Sequence, residues 1–325
     1  MSKSVIIKKH GGPEVLEISD INVGSPSKDE IKIKNHAVGL NFIDTYHRSG
    51  LYPINLPSGI GMEGSGIIEE VGSNVKNFTS GDRVAYASQP LGAYSEIRNI
   101  PSKIAIKVPE GISYKVAASV MTKGLTTHYL LHKTYVPGAS ETILFHAAAG
   151  GVGQIFCQWA KSLGCTIIGT VGSKEKVIIA KKNGCDFVIN YKDENFEKKV
   201  KEITNGKGVD VVYDGVGKDT FVGSINSLKV RGMMVSFGNS SGPLDPINVP
   251  KYIQPKSLFF TRPVLGHHSE SNELEDAGKI LFEKIKFGKV KISIFKEYLL
   301  SEAKQAHQDL EGRKIIGPAI LVPNE

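Results

Sequence analysis

Ala148, Gly150 and Gly153 stand at the spacing of a GxGxxG fingerprint, with alanine at the first position, inside LFHAAAGGVGQIFCQWAK (Leu144 to Lys161). The chemistry this spacing serves is phosphate binding. The first N–H groups of a helix lack carbonyl partners and the helix dipole is positive there, so a pyrophosphate is stabilised at that point. Gly150 and Gly151 permit tight turning and close backbone approach, and Gly153 lets the helix pack on the sheet. An apolar run, Thr142 to Phe145, precedes the glycines. The helix continues through Trp159 to Leu163 and stops near Gly164. A glycine triplet alone is a weak signal and reads first as a turn without function. Strand, glycines, helix, strand is the context that makes it a dinucleotide site.

The next chemistry-bearing position is the end of the second strand. A site that prefers NADH places Asp or Glu there, about 20 residues beyond the glycines, to bind the ribose 2′-hydroxyl. This chain has no acidic residue from Gly150 to Lys174, and Gly172-Ser173-Lys174-Glu175-Lys176 stands there instead. Small residues leave room and lysines offer charge for a 2′-phosphate, so NADPH is expected over NADH. The plainer reading of Lys174 and Lys176 is a solvent-facing helix start. Tyr191, at the end of the third strand, either covers the adenosine phosphate or caps the sheet.

The elements that position these residues alternate regularly. Strands are expected at Thr142 to Phe145, Cys165 to Val171, Asp186 to Tyr191, Asp210 to Tyr213, Met233 to Phe237 and Ser257 to Thr261. Helices are expected at Lys174 to about Asn183, Asp193 to Thr204 and about Asp219 to Leu228. Short β-rich runs separated by helix-period segments argue for an α/β, doubly wound parallel sheet. The first half differs, with short strands at Val5 to Lys8, Glu30 to Ala37, Gly66 to Val71 and Arg83 to Tyr86 among frequent Gly and Pro. Thr79-Ser80-Gly81-Asp82 is a turn. This half reads as antiparallel and partly barrel-like. After about Pro263 come a helix from Asn272 to Phe287 and a final apolar segment, Pro318 to Pro323, which returns to the first domain. The expected division is 1–122, 123–263 and 264–325.

Composition bounds the partners. The chain has 325 residues, 40 basic and 33 acidic, for a net charge of +7. That excess suits a phosphate-bearing cofactor and also permits weak attraction to RNA. Lys198-Lys199-Val200-Lys201 has no interleaved aromatics and reads as a solvated helix face. No apolar run is long enough to span a membrane, and MSKSVIIKKHGG lacks the apolar region of a secretory signal. Cys157, Cys165 and Cys185 form no CxxC pair and read as buried thiols in a reducing cytosol, so a cytoplasmic location is expected. His146, at the end of the first strand, reads as a packed, hydrogen-bonded residue, because no acidic orienter is evident.

Ser140-Glu141, Leu144, Ala148-Ala149-Gly150-Gly151, Gly153, Gln158 and Lys161 carry a family signature. So do the segments from Asn41 to Tyr46, from Arg48 to Pro53 and from Ser236 to Gly242. Through them nearly the whole chain resembles the zeta-crystallin-type NADPH:quinone oxidoreductases, within the zinc-independent medium-chain dehydrogenase/reductases. The resemblance implies a Rossmann nucleotide domain inserted in a GroES-like antiparallel β catalytic domain, and a homodimer. It implies that Asn41, Phe42, Ile43, Asp44, Thr45 and Tyr46 line the nicotinamide side, with Tyr129 nearby. Gly151 and Val152 would cradle the pyrophosphate, and Ser173, Lys176 and Tyr191 would surround the 2′-phosphate. Val216, Phe237, Gly238, Asn239 and Ser240 would border the nicotinamide ribose. Thr261, Arg262, Pro263 and Arg313 would close over the cofactor. Without the resemblance, Arg313 reads as a surface residue.

Zinc alcohol dehydrogenases of this fold carry Cys and His ligands near the places matching Asn41 and Met62. Here the second place reads Gly61-Met62-Glu63, neither neighbourhood has a cysteine, and no four-Cys lobe is present. The adjacent His267-His268 pair lacks ligand spacing. No metal is therefore expected. A quinone is a strong acceptor, and positioning the nicotinamide C4 against it suffices without a Lewis acid. Tyr46 and Tyr52 are candidate donors to the developing oxyanion, and Asn41 a candidate positioning residue. Tyr52 is equally read as shaping the pocket, and Asp44 as an orienting carboxylate. The expected activity is NADPH-dependent quinone reduction. The alternatives are reduction of an alkenal or enone double bond and NADPH-gated RNA binding. A dimer would use an edge strand near Ser257 to Thr261.

Overall fold

The computed structural model describes residues 1–268 and 271–323. Two compact units divide the chain: Met1–Leu125 with Leu265–Gly288 and the chain from Ile292 onward, and Thr126–Val264 with Lys289–Lys291. Lys289–Lys291 thus leave the C-terminal return and join the second unit. The reason is local: Gln158 Nε2 donates to the Lys291 carbonyl at 3.0 Å, and the Lys291 N–H donates to Gln158 Oε1 at 2.8 Å.

The second unit is built on a six-stranded parallel sheet. Its spatial order is Phe187–Asn190, Thr166–Val171, Thr142–Phe145, Val209–Asp214, Leu228–Ser236, Phe259–Thr261. The expected strands are all present. The fifth begins earlier than expected, at Leu228, where a short helix was read to end; the helix is Phe221–Ser227. Leu144, Ile168, Val212 and Met234 stand side by side in register and are fully buried. They form one core with Ile189, Val200, Phe221 and Ile225. On neighbouring positions, Phe145 stacks on Phe156 at 4.3 Å, and Phe156 meets Tyr213 at 4.6 Å. Both faces of the sheet are therefore apolar, as parallel strands covered by helices require. The chain runs outward from Thr142–Phe145 in one direction and then from Val209–Asp214 in the other. The carboxyl ends of those two strands are the switch point where such sheets bind ligands.

The first unit is mainly antiparallel. Glu30–Leu40 pairs with Gly64–Val71, Ile97–Pro101 and Ala319–Val322, and its ladder with Gly64–Val71 shifts register between Asn35 and Ala37. Such shifts bend a strand and let a sheet curl. Arg83–Tyr86 continues the sheet to Ala105–Lys107. Ser2–Ile7 lies between Glu17–Ile21 and Ser58–Gly59 in a separate three-stranded sheet. One pair departs from the antiparallel expectation: Lys296–Leu299 runs parallel to Ala319–Val322. The C-terminal strand does return to this unit.

Two helices are not evident from periodicity. Phe42–Ser49 buries Asp44, Thr45, Tyr46, His47 and Arg48, so its inward face is polar and leaves no apolar stripe to read. Tyr114–Tyr129 carries Gly124 and several β-branched residues, which lowers its intrinsic preference. At Gly124 an added Cβ would lie 2.4 Å from Leu281, so close packing explains the glycine.

Candidate active site

The Glu30–Leu40 strand delivers Asn41 to the N-cap of Phe42–Ser49, with φ −135° and ψ 150°. Asp44, one turn along, reaches back and accepts the Asn41 N–H at 2.9 Å. The Asn41 side chain turns to two other residues. Its Nδ2 donates to Glu63 Oε2 at 2.5 Å, and Lys123 Nζ donates to its Oδ1 at 2.8 Å. Lys123 Nζ also lies 3.3 Å from Glu63 Oε2, and the Thr122 N–H donates to Glu63 Oε1 at 2.9 Å. Lysine can only donate, so the amide orientation follows from its partners. All three side chains are buried: Glu63 is 0%, Lys123 5% and Asn41 7% exposed. Gly39 makes room for the carboxylate. A Cβ there would lie 2.2 Å from Glu63 Oε2 and 2.4 Å from the Ala118 carbonyl.

A second buried chain starts at Asp44. Tyr94 donates its hydroxyl to Asp44 Oδ2 at 2.8 Å and meets His307 Nε2 at 3.2 Å. His307 Nδ1 lies 2.9 Å from Arg48 Nη1, and Arg48 forks onto Glu311 at 2.6 and 3.1 Å. Burial pushes Asp44 up to about 7 and Tyr94 well above its usual value. Burial, with Arg48 beside it, pulls His307 down to about 3. Burial also takes His47 down to about 4. Asp44 Oδ2 thus holds the Asn41 N–H and the Tyr94 hydroxyl, while its Oδ1 has no hydrogen-bond partner among the described residues.

Tyr46 and Tyr52 meet edge to face at 5.2 Å, and the Tyr52 N–H donates to the Tyr46 carbonyl at 3.1 Å. Phe42 lies 6.2 Å from Tyr46, Thr45 Oγ1 donates to the Phe42 carbonyl at 2.7 Å, and Ile43 is half-buried. Asn41 to Tyr46 and Tyr52 are therefore gathered in one place. Arg313 is exposed, in the left-handed region at φ 58° beyond the Ala303–Glu311 helix.

The remaining expected residues lie on the second unit. Gly150 caps the Gly151–Ser162 helix, with no side chain bonded at the cap and no acid in the first turn. Gly151, Val152 and Gly153 head that helix. A Cβ on Gly153 would lie 2.5 Å from the Ala147 carbonyl oxygen and 2.7 Å from the Ala148 backbone, so only glycine fits. Uncapped N–H groups at a long helix start fit a pyrophosphate. Ser173 caps the Lys174–Lys182 helix by accepting the Lys176 N–H at 3.3 Å. Tyr191 reaches over Gly172, where a Cβ would lie 2.4 Å from its hydroxyl. Ser173, the Lys176 N–H it accepts and Tyr191 therefore lie together at the end of the second strand.

Asp214 organises the switch point. Its Oδ1 accepts the Val216 and Gly217 N–H groups at 2.8 and 3.0 Å, and its Oδ2 accepts Thr220 Oγ1 at 2.7 Å and Ser224 Oγ at 2.8 Å. His146 bonds Ser224 Oγ at 2.9 Å and Thr170 Oγ1 at 2.8 Å. His146 is packed, as expected, but an acid does stand behind it, reached through Ser224. Burial lowers its pKa. Phe237 donates its N–H to the Asp214 carbonyl at 2.8 Å, and Ser240 to that of Gly215 at 3.3 Å. A Cβ on Gly238 would lie 2.4 Å from the Gly215 carbonyl oxygen. Arg262 donates to Ser236 Oγ and the Gly238 carbonyl at 3.1 and 3.0 Å. Val216, Phe237, Gly238, Asn239, Ser240 and Thr261 to Pro263 are thus assembled together. Tyr129, at the end of Tyr114–Tyr129, is buried.

Residues 27–110 match the alcohol dehydrogenase GroES-like domain, and residues 151–281 match the zinc-binding dehydrogenase family. A quinone oxidoreductase of Pseudomonas aeruginosa is 49% identical over 325 residues, covering 99% of this chain and 100% of its own. The chain belongs to the quinone oxidoreductase family of the medium-chain dehydrogenase/reductases. The solved Escherichia coli quinone oxidoreductase, in complex with NADPH, matches at a TM-score of 0.97 and 48% identity, over 99% of this chain and 100% of its own. A 2-haloacrylate reductase of Burkholderia is 43% identical over 331 residues, covering 99% of both chains.

The word zinc in one family description is not matched by the residues present. An amide, one carboxylate and an ammonium face each other at Asn41, Glu63 and Lys123, and an ammonium repels a cation. Glu63, Lys123, Tyr94, His307 and Asp214 bond the expected residues or their neighbours, and the sequence reading did not single them out. The one available signal was Lys123, a lone charge in the apolar stretch AASVMTKGLTT.

Proposed function

We propose that this protein reduces quinones with NADPH: quinone, NADPH and one proton give hydroquinone and NADP⁺. What carries the reading is the pairing of full-length identity to quinone oxidoreductases with a Gly172–Ser173–Lys176–Tyr191 cluster suited to a 2′-phosphate. NADPH supplies the reducing equivalents from its nicotinamide C4. The start of the Gly151–Ser162 helix binds the pyrophosphate, and Ser173, Lys176 and Tyr191 hold the 2′-phosphate. Val216, Phe237, Gly238, Asn239 and Ser240, organised by Asp214, border the nicotinamide ribose. Asn41 to Tyr46 and Arg313 are the cofactor residues proposed on the first unit, and Tyr129 and Thr261 to Pro263 are further ones on the second. Asn41 positions the acceptor. Tyr46 and Tyr52 offer hydroxyls to the oxygen that gains charge.

A second reading, reduction of an activated C=C bond, is favoured by the name of the Burkholderia relative. The same donor arrangement serves it. Comparing kcat/KM for a quinone and for an unsaturated aldehyde decides between them, and the account expects the quinone to be favoured.

We further propose a cytoplasmic homodimer joined along Phe259–Thr261, supported by that strand's place at the sheet edge and the half-exposed Phe259. Light scattering of wild type and F259E tests the dimer. The charge of +7 supports weak, salt-sensitive RNA binding alongside, which a titration at low and physiological salt tests.

A further inference from the structure

We propose that Lys123 is a positioning residue of the reaction, acting through Asn41. The inference rests on the quinone-reductase reading above. A lysine on a buried helix face loses hydration and a flexible stem loses rotamer freedom, whereas a methionine would fill the same volume without either loss. A reason for the charge is therefore required.

The geometry supplies one. Lys123 Nζ to Asn41 Oδ1 is 2.8 Å, Asn41 Nδ2 to Glu63 Oε2 is 2.5 Å, and Lys123 Nζ to Glu63 Oε2 is 3.3 Å. These contacts close a three-membered ring of side chains. The ring fixes the plane of the amide and forbids its flip, because an inverted amide would set its N–H₂ against the ammonium. Glu63 is held from its other oxygen by the Thr122 N–H at 2.9 Å. The Asn41 amide has two N–H groups and Glu63 takes one. Among the described residues the second has no protein acceptor.

Two consequences follow for an acceptor whose oxygen gains negative charge. An amide whose carbonyl is bonded to an ammonium is polarised, so its remaining N–H is a stronger donor. The Lys123 charge also offsets that of Glu63. Glu63 alone would place an uncompensated carboxylate beside the developing oxyanion and raise the barrier. Lys123 thus works on the reaction through the residue it holds.

The test uses the full-length protein with NADPH and 1,4-benzoquinone. K123M is expected to lower kcat about 10- to 100-fold while the KM for NADPH stays within about twofold. K123R, which keeps the charge but not the point geometry, is expected to retain more of the rate than K123M. On an N41A background, K123M is expected to cost less than about threefold, because its route of action is already gone. A role confined to holding the fold would lower thermal stability and leave kcat per folded molecule, and additivity with N41A, intact. Where K123M does not fold, the K123M/E63Q pair removes both charges, so only the polarisation of the Asn41 amide is lost and a smaller fall in kcat, about 3- to 10-fold, is expected. Wild-type turnover with an unchanged kcat in K123M or in the pair overturns the inference, as does a full additive loss on N41A. Absence of quinone turnover in wild type overturns the quinone reading and this inference with it.

Discussion

Tyr94 donates its hydroxyl to Asp44 at 2.8 Å, and this bond has a direction that the neighbouring groups impose. Arg48 can only donate, so His307 Nδ1 accepts from it at 2.9 Å and the ring proton sits on Nε2. Nε2–H then donates to the Tyr94 oxygen at 3.2 Å, which leaves the Tyr94 proton for Asp44. Asp44 Oδ2 is thereby kept as an acceptor, for Tyr94 and for the Asn41 N–H at 2.9 Å. Its proton, when present, belongs on Oδ1, which has no partner among the described residues.

This arrangement predicts how stability depends on pH. Burial raises Asp44 from 3.8 to about 7, so between those values the folded protein holds a proton that the unfolded chain has released. Its contribution is full at the acid end and is lost as pH rises through about 7. His47 and His307, depressed by burial from 6.5 to about 4 and about 3, act the other way. Their contribution is present above 6.5 and lost as pH falls through those values. D44N keeps an acceptor oxygen and cannot titrate. Its urea midpoint is expected to gain on wild type as pH rises from about 5 to about 8, while both proteins lose stability steeply below about pH 4. A midpoint difference that is flat over this range would contradict the account.

Cofactor choice is expected to depend on Lys176 and on the glycine beneath Tyr191. K176A removes the charge proposed to meet the 2′-phosphate, so the KM for NADPH should rise about tenfold and that for NADH should hardly move. G172A forces Tyr191 aside, because the new methyl would lie 2.4 Å from its hydroxyl, and the same selective loss is expected. Equal losses for both cofactors would assign these residues to general packing.

Gly153 offers a harsher test. A methyl there meets only backbone, the Ala147 carbonyl oxygen at 2.5 Å and Ala148 atoms at 2.7 Å, and backbone cannot swing away. G153A is expected to destabilise the fold by about 1–3 kcal/mol and to weaken NADPH binding measured by nicotinamide fluorescence. Wild-type stability and affinity would show that the helix start has room to shift.

Asp214 holds two backbone N–H groups and two hydroxyls. D214A strips their acceptor within the buried switch point and is expected to cost more than about 3 kcal/mol in chemical denaturation. Loss of NADPH affinity should accompany it, since the Val216 and Gly217 N–H groups take their places from the Asp214 side chain. D214N, which keeps an acceptor oxygen, should lose less.

The parallel sheet was legible because its strands repeat an apolar pattern between helical segments, and Ala148, Gly150 and Gly153 mark one of its turns. Phe42–Ser49 was not legible, because Asp44, Thr45, His47 and Arg48 point inward, where Asp44 bonds Asn41 and Tyr94, Thr45 bonds the Phe42 carbonyl and Arg48 bonds His307 and Glu311. Polar residues that bury one another carry no periodic signal. Asn41 and Tyr46 became candidates through a family motif. Glu63 and Lys123 were not assigned roles, because their pairing joins a strand and a helix far apart in the chain and nothing in local spacing announces it. The acid behind His146 was hidden in the same way, with Ser224 as the intermediary.

The central claim is tested most directly by the rate of NADPH oxidation by the purified protein with 1,4-benzoquinone and with a naphthoquinone, each repeated with NADH. The account predicts turnover with both quinones, with NADPH strongly preferred over NADH. Tight NADPH binding with no turnover of either quinone would contradict it.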